Sequence, residues 1–318
     1  MHVQPLFDEA VLRNQLWGEF EQFRGSAEAT ALFDRLKAWA GREILNERES
    51  EAAFIGRFFV ETWGYSMQGA SHETANYSCR PQYPVEGGGQ RGNTGFADLA
   101  LGNFGGTGPA VPQVLCEFKD VRSGLDNPQA RKGSTRSPVQ QCLDYLISSW
   151  QARGVASPVE PTWAIVTDMN EFRLYTRLPG HAGQYQRFMV SGGGSPLDPD
   201  LCTDSDLAAF RRFLFWRLFR PDFLLAERSP CRLAQILQNQ VTREQDIEKN
   251  FYREYKAYRQ FLYESICAAN PDFQGTRGKL VRLTQRLLDR CIFILFCEDM
   301  GRVLRYPPEL LRDILAEH

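Results

Sequence analysis

Histidine is scarce in this chain of 318 residues, with four in all, and the eight cysteines are scattered singly. None of the cysteines belongs to a Cys-x-x-Cys pair, the usual beginning of a structural zinc site. A zinc centre or a histidine-based catalytic triad therefore has few candidate residues. We expect the cysteines to be reduced thiols that serve as small hydrophobic side chains.

Long apolar runs and a strong net charge are also lacking. The longest strongly apolar run, CIFILFC at 291–297, is too short to cross a bilayer. The amino terminus, MHVQPLFDEA, has no basic start followed by an apolar stretch, as a secretory signal would have. These features favour a cytoplasmic protein with no membrane partner. The net charge of -2 excludes a uniformly basic nucleic-acid binder, so any DNA-binding surface has to be a local patch.

The sequence pattern changes at SGGGSPLDPD, residues 191–200, from mixed helix and strand signals to almost continuous helix signals. This change predicts an α/β domain over 1–195 and an all-α helical domain over 204–318. Residues 67–95 are predicted as loops or an irregular edge segment. The helical part carries two apolar stripes, 247–262 and 280–294, that are typical of core. Helices of the first domain are predicted at Phe7–Phe23, Ala27–Ala40 and Glu49–Trp63, and a further helix begins at Ser137 and Pro138. Strands are predicted at Phe96–Leu101, Gln113–Lys119, Thr162–Thr167, Phe172–Thr176 and Tyr185–Val190.

Two predicted strands, FADLAL and VLCEFKD, carry ionisable residues where a buried strand is usually apolar. Glu117 and Lys119 project to the same face because they lie two residues apart in a strand. If the strand with Asp98 pairs beside them, two carboxylates and one ammonium converge. Burying two such carboxylates is costly unless a divalent cation lies between them. Hard oxygen ligands without histidine or thiol suit Mg²⁺, with Mn²⁺ as a substitute, and the carbonyl of Phe118 is a natural extra ligand.

This set of ligands suits phosphodiester hydrolysis. A metal lowers the pKa of bound water and neutralises the charge that develops on the phosphate and the leaving oxygen. Lys119 would orient the attacking water and stabilise the pentavalent phosphorus. The alternative is a structural ion pair of Asp98 or Glu117 with Lys119, with no catalytic meaning.

The spacing of these residues, AD followed by eighteen residues and EFK, resembles the catalytic motif of the PD-(D/E)xK nuclease superfamily. The motif positions fall on Asp98, Glu117 and Lys119. Ala97 stands where the family usually has proline, and this departure removes no ligand. The resemblance implies a mixed central sheet flanked by helices, a Mg²⁺ ion and double-stranded DNA as substrate.

Two further marks of that superfamily occur on neighbouring helices. Many members have an acidic residue on the helix before the core strands, and here Glu51 (or Glu49) heads such a helix. One subset has Gln-x-x-x-Tyr on the helix after the lysine strand, and here Gln141 and Tyr145 occupy those places. Residues four apart on a helix face the same way, so both side chains could reach the metal site or the scissile phosphate.

Other segments resemble the amino-terminal part of fused type IIG restriction-modification enzymes. The stretch WAIVTDMNEFRLY resembles the strand–turn–strand that closes their nuclease domain, and the helices after residue 246 resemble the connector to their adenine-methylating domain. The sequence contains no glycine-rich S-adenosylmethionine loop and no NPPY-type motif. S-adenosylmethionine would therefore be bound only by a methyltransferase part beyond these residues. Two interpretations stay open: a truncated part of a longer enzyme, or a stand-alone nuclease subunit.

The segment between the lysine strand and the next helix, residues 119–136, contains five basic and two acidic residues. A basic loop beside a metal site is well placed to bind phosphates, although a solvated surface loop is the alternative. The DNA-binding candidates are Arg122, Arg131, Lys132 and Arg136. The sequence thus predicts a Mg²⁺-dependent DNA endonuclease of a restriction-modification, anti-phage type, with a fused or associated methyltransferase and target-recognition domain. The alternative is a non-cleaving DNA-binding or assembly module of a defence-system adenine DNA methyltransferase.

Overall fold

The protein is a mixed α/β chain built around one six-stranded sheet. The computed structural model describes residues 5–42, 47–68, 76–89, 92–105, 111–120, 124–128, 136–151, 162–196, 198–226 and 230–299, with positions 313 and 316. The expected class, a mixed sheet flanked by helices, is confirmed at this level.

The sheet has its strands in chain order, and only one neighbouring pair is parallel. The strands are β1 (Tyr77–Val85), β2 (Gly95–Phe104), β3 (Val111–Phe118), β4 (Trp163–Thr167), β5 (Glu171–Thr176) and β6 (Tyr185–Met189). The parallel pair is β3 and β4, which need a crossover connection, and the helix between them supplies it. All the other neighbours are antiparallel.

Strand β1 lies in the segment that the sequence predicted as loops or an irregular edge segment, and the second of these alternatives agrees with the edge strand observed here. Pro81 and Pro84 hide the strand because proline lacks the N–H that a central strand needs. They are tolerated here because β1 is the edge strand of the six-stranded sheet. Strand β2 is its neighbour on one side, and on the other side the described residues form an isolated bridge between Met67 and Cys79. Gln82 has a left-handed φ of 50°, a further irregularity that conceals the strand pattern.

The helices agree closely with their sequence signals. They are α1 (Glu9–Phe23), α2 (Ala27–Ala40), α3 (Glu47–Phe54), which continues as a π-helical segment (Ile55–Thr62), α4 (Pro138–Gln151), α5 (Asp206–Leu218), α6 (Pro221–Leu224), α7 (Arg232–Ala269) and α8 (Arg277–Asp299). The beginning of α4 is as predicted, because the Ser137 hydroxyl accepts a hydrogen bond from the Gln140 N–H at 3.1 Å.

An aromatic core fills one face of the sheet. The ring of Phe172 on β5 lies 5.1 Å from that of Phe58 and 5.0 Å from that of Phe215. The Trp63 indole in the same core donates to the Phe215 carbonyl at 3.1 Å. Helices α1, α2, α3 and α5 all contribute to this cluster.

Because α5 packs in this core, the boundary between the two units differs from the one that the sequence predicted between 195 and 204. The chain divides instead into a first unit, Met1–Gln240, and a second unit, Val241–His318. Helices α5 and α6 and the first part of α7 belong to the first unit, because their apolar side chains join its aromatic core. A pattern of helix signals reports where helices begin, and it does not report which core they join.

The second unit contains the rest of α7 and α8 among its described residues. The stripe predicted as core is exposed at Ile247, Phe251 and Tyr258, with 58%, 50% and 62% of each side chain accessible. The core prediction is therefore wrong for these three positions. In the second stripe it is also wrong for Leu283 and Leu287, which are 44% and 46% exposed, whereas Leu280 is buried. In the described ranges, no helix has the length and hydropathy that crossing a membrane requires.

Helix α4 packs on the opposite face of the sheet, over β1 to β4. A smaller cluster forms there, in which Cys142 and Leu146 of α4 meet Leu115 and Val166 of the sheet. The Cys142 thiol donates to the Leu115 carbonyl at 3.4 Å. This contact fixes α4 beside the end of β3, where the predicted site lies.

Candidate functional site

The two strands that carry the predicted site separate at its edge. Their last paired residues are Leu99 and Cys116, and in the same register Asp98 would lie opposite Glu117. The Asp98 carboxylate closes the gap by accepting a hydrogen bond from the Phe118 N–H at 2.7 Å. The structure thus brings Asp98 to the main chain beside Glu117, as the sequence predicted.

Glu117 and Lys119 form a buried ion pair on the α4 face of the sheet. The Lys119 ammonium lies 2.8 Å from Glu117 Oε1, and the two residues are 9% and 1% exposed. The Lys119 N–H donates to the Thr167 carbonyl at 2.9 Å, which extends the β3–β4 pairing by one residue. The expectation that both side chains share one face is confirmed.

Gln141 and Tyr145 lie on the side of α4 that faces this pair. The Gln141 side-chain amide donates to Glu117 Oε1 at 2.8 Å and to the Tyr145 hydroxyl at 3.0 Å. Glu117 therefore accepts from an ammonium and from an amide at one oxygen. The one-turn spacing of Gln141 and Tyr145 produces this arrangement, since residues four apart lie above each other on a helix.

Tyr145 is held from the other side by two glycines that the sequence interpretation missed. A Cβ atom placed on Gly88 or on Gly95 would lie 2.7 Å or 2.6 Å from the Tyr145 ring. The Phe96 N–H also donates to the tyrosine hydroxyl. Burial raises the pKa of Tyr145, and the nearby Glu117 carboxylate adds to the increase, so the hydroxyl stays protonated. The only sequence signal was the glycine-rich stretch EGGGQRGNTG, residues 86–95, which predicts loops or an irregular edge segment.

Glu51, the predicted upstream acid, lies in α3 and is half-buried. The same helix packs on the aromatic face, where the Phe54 ring lies 5.1 Å from that of Phe118. Helix α3 and helix α4 therefore flank β3 from opposite sides. The part that Glu51 plays at the site stays a prediction, and the side chain of Glu49 lies outside the described residues.

The basic segment before α4 is described only in part. Arg122, Arg131 and Lys132 lie outside the described residues. Arg136 is half-buried, where it donates to the Gly88 carbonyl at 3.1 Å and pairs with Asp144 of α4 at 3.2 Å. These contacts attach the beginning of α4 to the glycine turn below Tyr145, so Arg136 has a structural role that the sequence did not show.

The donors at the strand edge fit a hard divalent cation. Asp98 and Glu117 offer carboxylate oxygens, and the carbonyl of Phe118 is the predicted third ligand. In the described part of the chain, no group of three or more His, Cys, Asp and Glu side chains could hold a metal. Two carboxylates are the number of protein ligands that an ion such as Mg²⁺ needs, because it keeps several of its waters. The pair does not suit zinc, which prefers nitrogen and sulfur ligands.

All eight cysteines are free, and most of them are buried. Burial raises the pKa of the Cys79 thiol to about 12. Thiols of this kind are poor nucleophiles and poor metal ligands at neutral pH. Comparison of the chain with family models, with curated proteins and with solved structures found no match.

Proposed function

We propose that the edge of β2 and β3 is the active site of a Mg²⁺-dependent DNA endonuclease of the restriction-modification, anti-phage type. The observation that carries the proposal is the double contact at Glu117 Oε1, which accepts from Lys119 and from Gln141 at 2.8 Å each. Asp98 lies beside it on the neighbouring strand. The resemblance to the PD-(D/E)xK superfamily supports the reaction class, because this geometry unites the five residues that its motif and its Gln-x-x-x-Tyr subset contain: Asp98, Glu117, Lys119, Gln141 and Tyr145.

Each residue has a distinct task in this proposal. Lys119, held by Glu117, presents its ammonium to the attacking water and to a phosphate oxygen. Gln141 fixes the orientation of the Glu117 carboxylate, and Tyr145 fixes Gln141. A bound Mg²⁺ ion would be held by Asp98 and Glu117 and would supply a water of lowered pKa and charge neutralisation at the phosphate.

The same 2.8 Å ion pair is also what a non-cleaving DNA-binding or assembly module would retain as a structural feature. A buried pair is costly to dehydrate and contributes little net stability, so its presence alone does not distinguish the two functions. Cleavage and metal binding by matched variants do distinguish them.

The first experiment measures nicking of supercoiled plasmid in Mg²⁺ or Mn²⁺. Asp98→Asn keeps an oxygen for the Phe118 N–H and removes only the charge, so it should fold normally. We expect roughly 100-fold slower cleavage or worse for Asp98→Asn and for Lys119→Ala. If the wild type nicks plasmid and both variants nick it equally fast, this site is not the nuclease site.

A pair of neighbouring glutamines supplies the control. The Gln141 side chain donates to Glu117, whereas the Gln140 side chain is exposed and donates to Asp144 of its own helix at 2.8 Å. We expect Gln141→Ala to slow cleavage by at least about tenfold, and Gln140→Ala to leave it unchanged. Equal effects of the two substitutions would show that α4 acts by packing alone.

Metal binding can be measured without any DNA. Titration calorimetry with Mn²⁺ should show saturable binding by the wild type and at least about tenfold weaker binding by Asp98→Asn. A chain with the wild-type fold that binds no Mn²⁺ would favour the non-cleaving module.

A further inference from the structure

A row of side chains crosses the sheet from the proposed active site to its far edge. In the strand registers Glu117 pairs with Val166, Val166 with Arg173, and Arg173 with Arg187. Residues paired in this way lie on the same face of a sheet, so Arg173 shares the α4 face with Glu117. Neighbouring strands lie about 4.8 Å apart, which places Arg173 roughly 10 Å from Glu117 along the row.

The sheet holds the Arg173 guanidinium in one orientation. Its Nε donates to Glu171 Oε1 at 2.7 Å, and its central carbon lies 4.8 Å from the centroid of the Tyr185 ring. Nη1 donates to both carboxylate oxygens of Asp126 at 2.8 Å and to the Tyr175 hydroxyl at 3.5 Å. The Arg173 side chain is only 9% exposed.

Asp126 differs from the other partner because it belongs to the segment between β3 and α4 and its side chain is 68% exposed. The turn that carries it is anchored by its neighbour. Leu125 is buried, and its carbonyl accepts from the Val139 N–H of α4 at 3.4 Å. The carboxylate can therefore leave Arg173 without loss of this anchor.

The charges around Arg173 are balanced only when Asp126 is counted. Arg187 pairs with Glu171 at 3.0 Å and with Asp198 at 2.9 Å, and Asp198 also pairs with Arg211. These three arginines thus face three carboxylates, and without Asp126 the cluster is cationic by one charge. The cluster is therefore suited to receive one anion in the place of Asp126.

We propose that Arg173 is a DNA phosphate-binding residue of the proposed nuclease, and that the Asp126 carboxylate occupies its binding position until a phosphate displaces it. This inference rests on the proposed function, since it needs a DNA strand at Glu117. Arginine binds carboxylate and phosphate oxygens with the same donor geometry, so the exchange requires no rearrangement of the guanidinium. Phosphates follow one another about every 3.4 Å of helix axis on each strand, so Arg173 would meet a phosphate about three nucleotides from the cleaved bond.

The test measures binding of a short labelled duplex by fluorescence anisotropy over a series of salt concentrations, with Ca²⁺ in place of Mg²⁺. Arg173→Gln should weaken binding roughly tenfold and reduce the slope of log K against log salt by about 0.9. Asp126→Asn should strengthen binding at least about threefold and leave the slope unchanged, because the phosphate contact is kept and its competitor is lost. Arg24→Gln, which removes an exposed arginine paired with Asp206, is the matched control and should change neither quantity.

The opposite signs of the two variants separate this inference from a purely structural pair. If the pair only pins the segment, Asp126→Asn and Arg173→Gln weaken binding alike, and the inference is overturned. Arg173→Lys keeps the charge and controls for misfolding, and it should retain most of the salt slope.

The salt slope of the wild type separates this inference from the proposed cleavage. A wild type that binds duplex with a slope equal to that of Arg173→Gln also overturns the inference and leaves the proposed cleavage untouched. Conversely, the predicted binding pattern in a protein that does not nick plasmid would overturn the nuclease and retain the phosphate contact. A wild type that binds no duplex overturns both.

Discussion

Strand β3 has two sides that differ in almost every property. On one side Phe118 enters the aromatic core, where its ring meets that of Phe54 at 5.1 Å. On the other side Glu117 and Lys119 form an ion pair under α4. The two-residue period of the strand alone separates these environments. Stability and the proposed chemistry therefore depend on opposite faces of one sheet, so a substitution can change either one separately.

The aromatic face should account for the largest losses of stability. Phe172 is fully buried among other rings, so Phe172→Ala removes a large apolar surface and leaves a cavity. We expect a loss of about 4 kcal/mol in the free energy of unfolding, measured by urea denaturation. Phe96→Ala is the control, because this ring is 54% exposed and its loss should cost less than about 0.5 kcal/mol. A loss below about 1.5 kcal/mol for Phe172→Ala would mean that the two faces contribute more equally than the packing implies.

The stability of the α4 face of the sheet, the polar face that carries Glu117 and Lys119, should respond differently to single and paired substitutions. Lys119→Met leaves the buried Glu117 carboxylate without its cation, and we expect a loss of about 3 kcal/mol in unfolding free energy. The double variant Glu117→Gln, Lys119→Met should recover most of this loss, since both charges are gone. Urea denaturation of both variants and of Glu117→Gln completes the cycle. Additive losses would indicate that the two side chains are independent, contrary to their 2.8 Å contact.

The sequence predicted the polar face better than the boundaries of the fold. Asp98, Glu117 and Lys119 stood out because charge is unusual in buried strands, and helix spacing placed Gln141 and Tyr145 together. The division at Gln240 was missed because apolar spacing identifies a buried helix face and leaves its partner unspecified. The Asp126–Arg173 pair was missed as well, because it joins residues far apart in the chain. Strand β1 was predicted only as one of two alternatives, loop or edge segment, because it carries prolines that only an edge strand tolerates.

Substitution of a glycine under Tyr145 should change the unfolding free energy by a smaller amount, and this effect is specific to the α4 face. In Gly95→Ala the new methyl group would lie 2.6 Å from the Tyr145 ring, so the ring or α4 has to move. We expect a loss of about 2 kcal/mol in unfolding free energy, together with slower plasmid nicking because Gln141 loses its support. Gly18→Ala is the control. Gly18 lies within α1 with no atom inside 4 Å of the new methyl group, and this change should stabilise the protein by about 0.5–1 kcal/mol.

The pH dependence of stability gives the smallest expected effect. Burial and the neighbouring Glu117 raise the pKa of Tyr145 above its ordinary value of about 10. A group whose pKa is raised in the folded state stabilises the fold fully below the unfolded value and loses that contribution as the pH rises through the folded value. Wild-type stability should therefore fall more steeply above about pH 10 than that of Tyr145→Phe, by at most about 1.4 kcal/mol per pH unit.

The comparison uses slopes rather than absolute stabilities, because Tyr145→Phe also removes the hydrogen bonds from Gln141 and Phe96 at every pH. Urea denaturation at several values between pH 8 and pH 11 provides both curves. Gly18→Ala, which changes no titratable group, serves as the control and should run parallel to the wild type. Parallel curves for Tyr145→Phe and the wild type would mean that Tyr145 ionises as easily in the folded chain as in the unfolded one. In that case the α4 face would be open to water at Tyr145, and the contrast with the dry aromatic face would be weaker than the packing of the two faces implies.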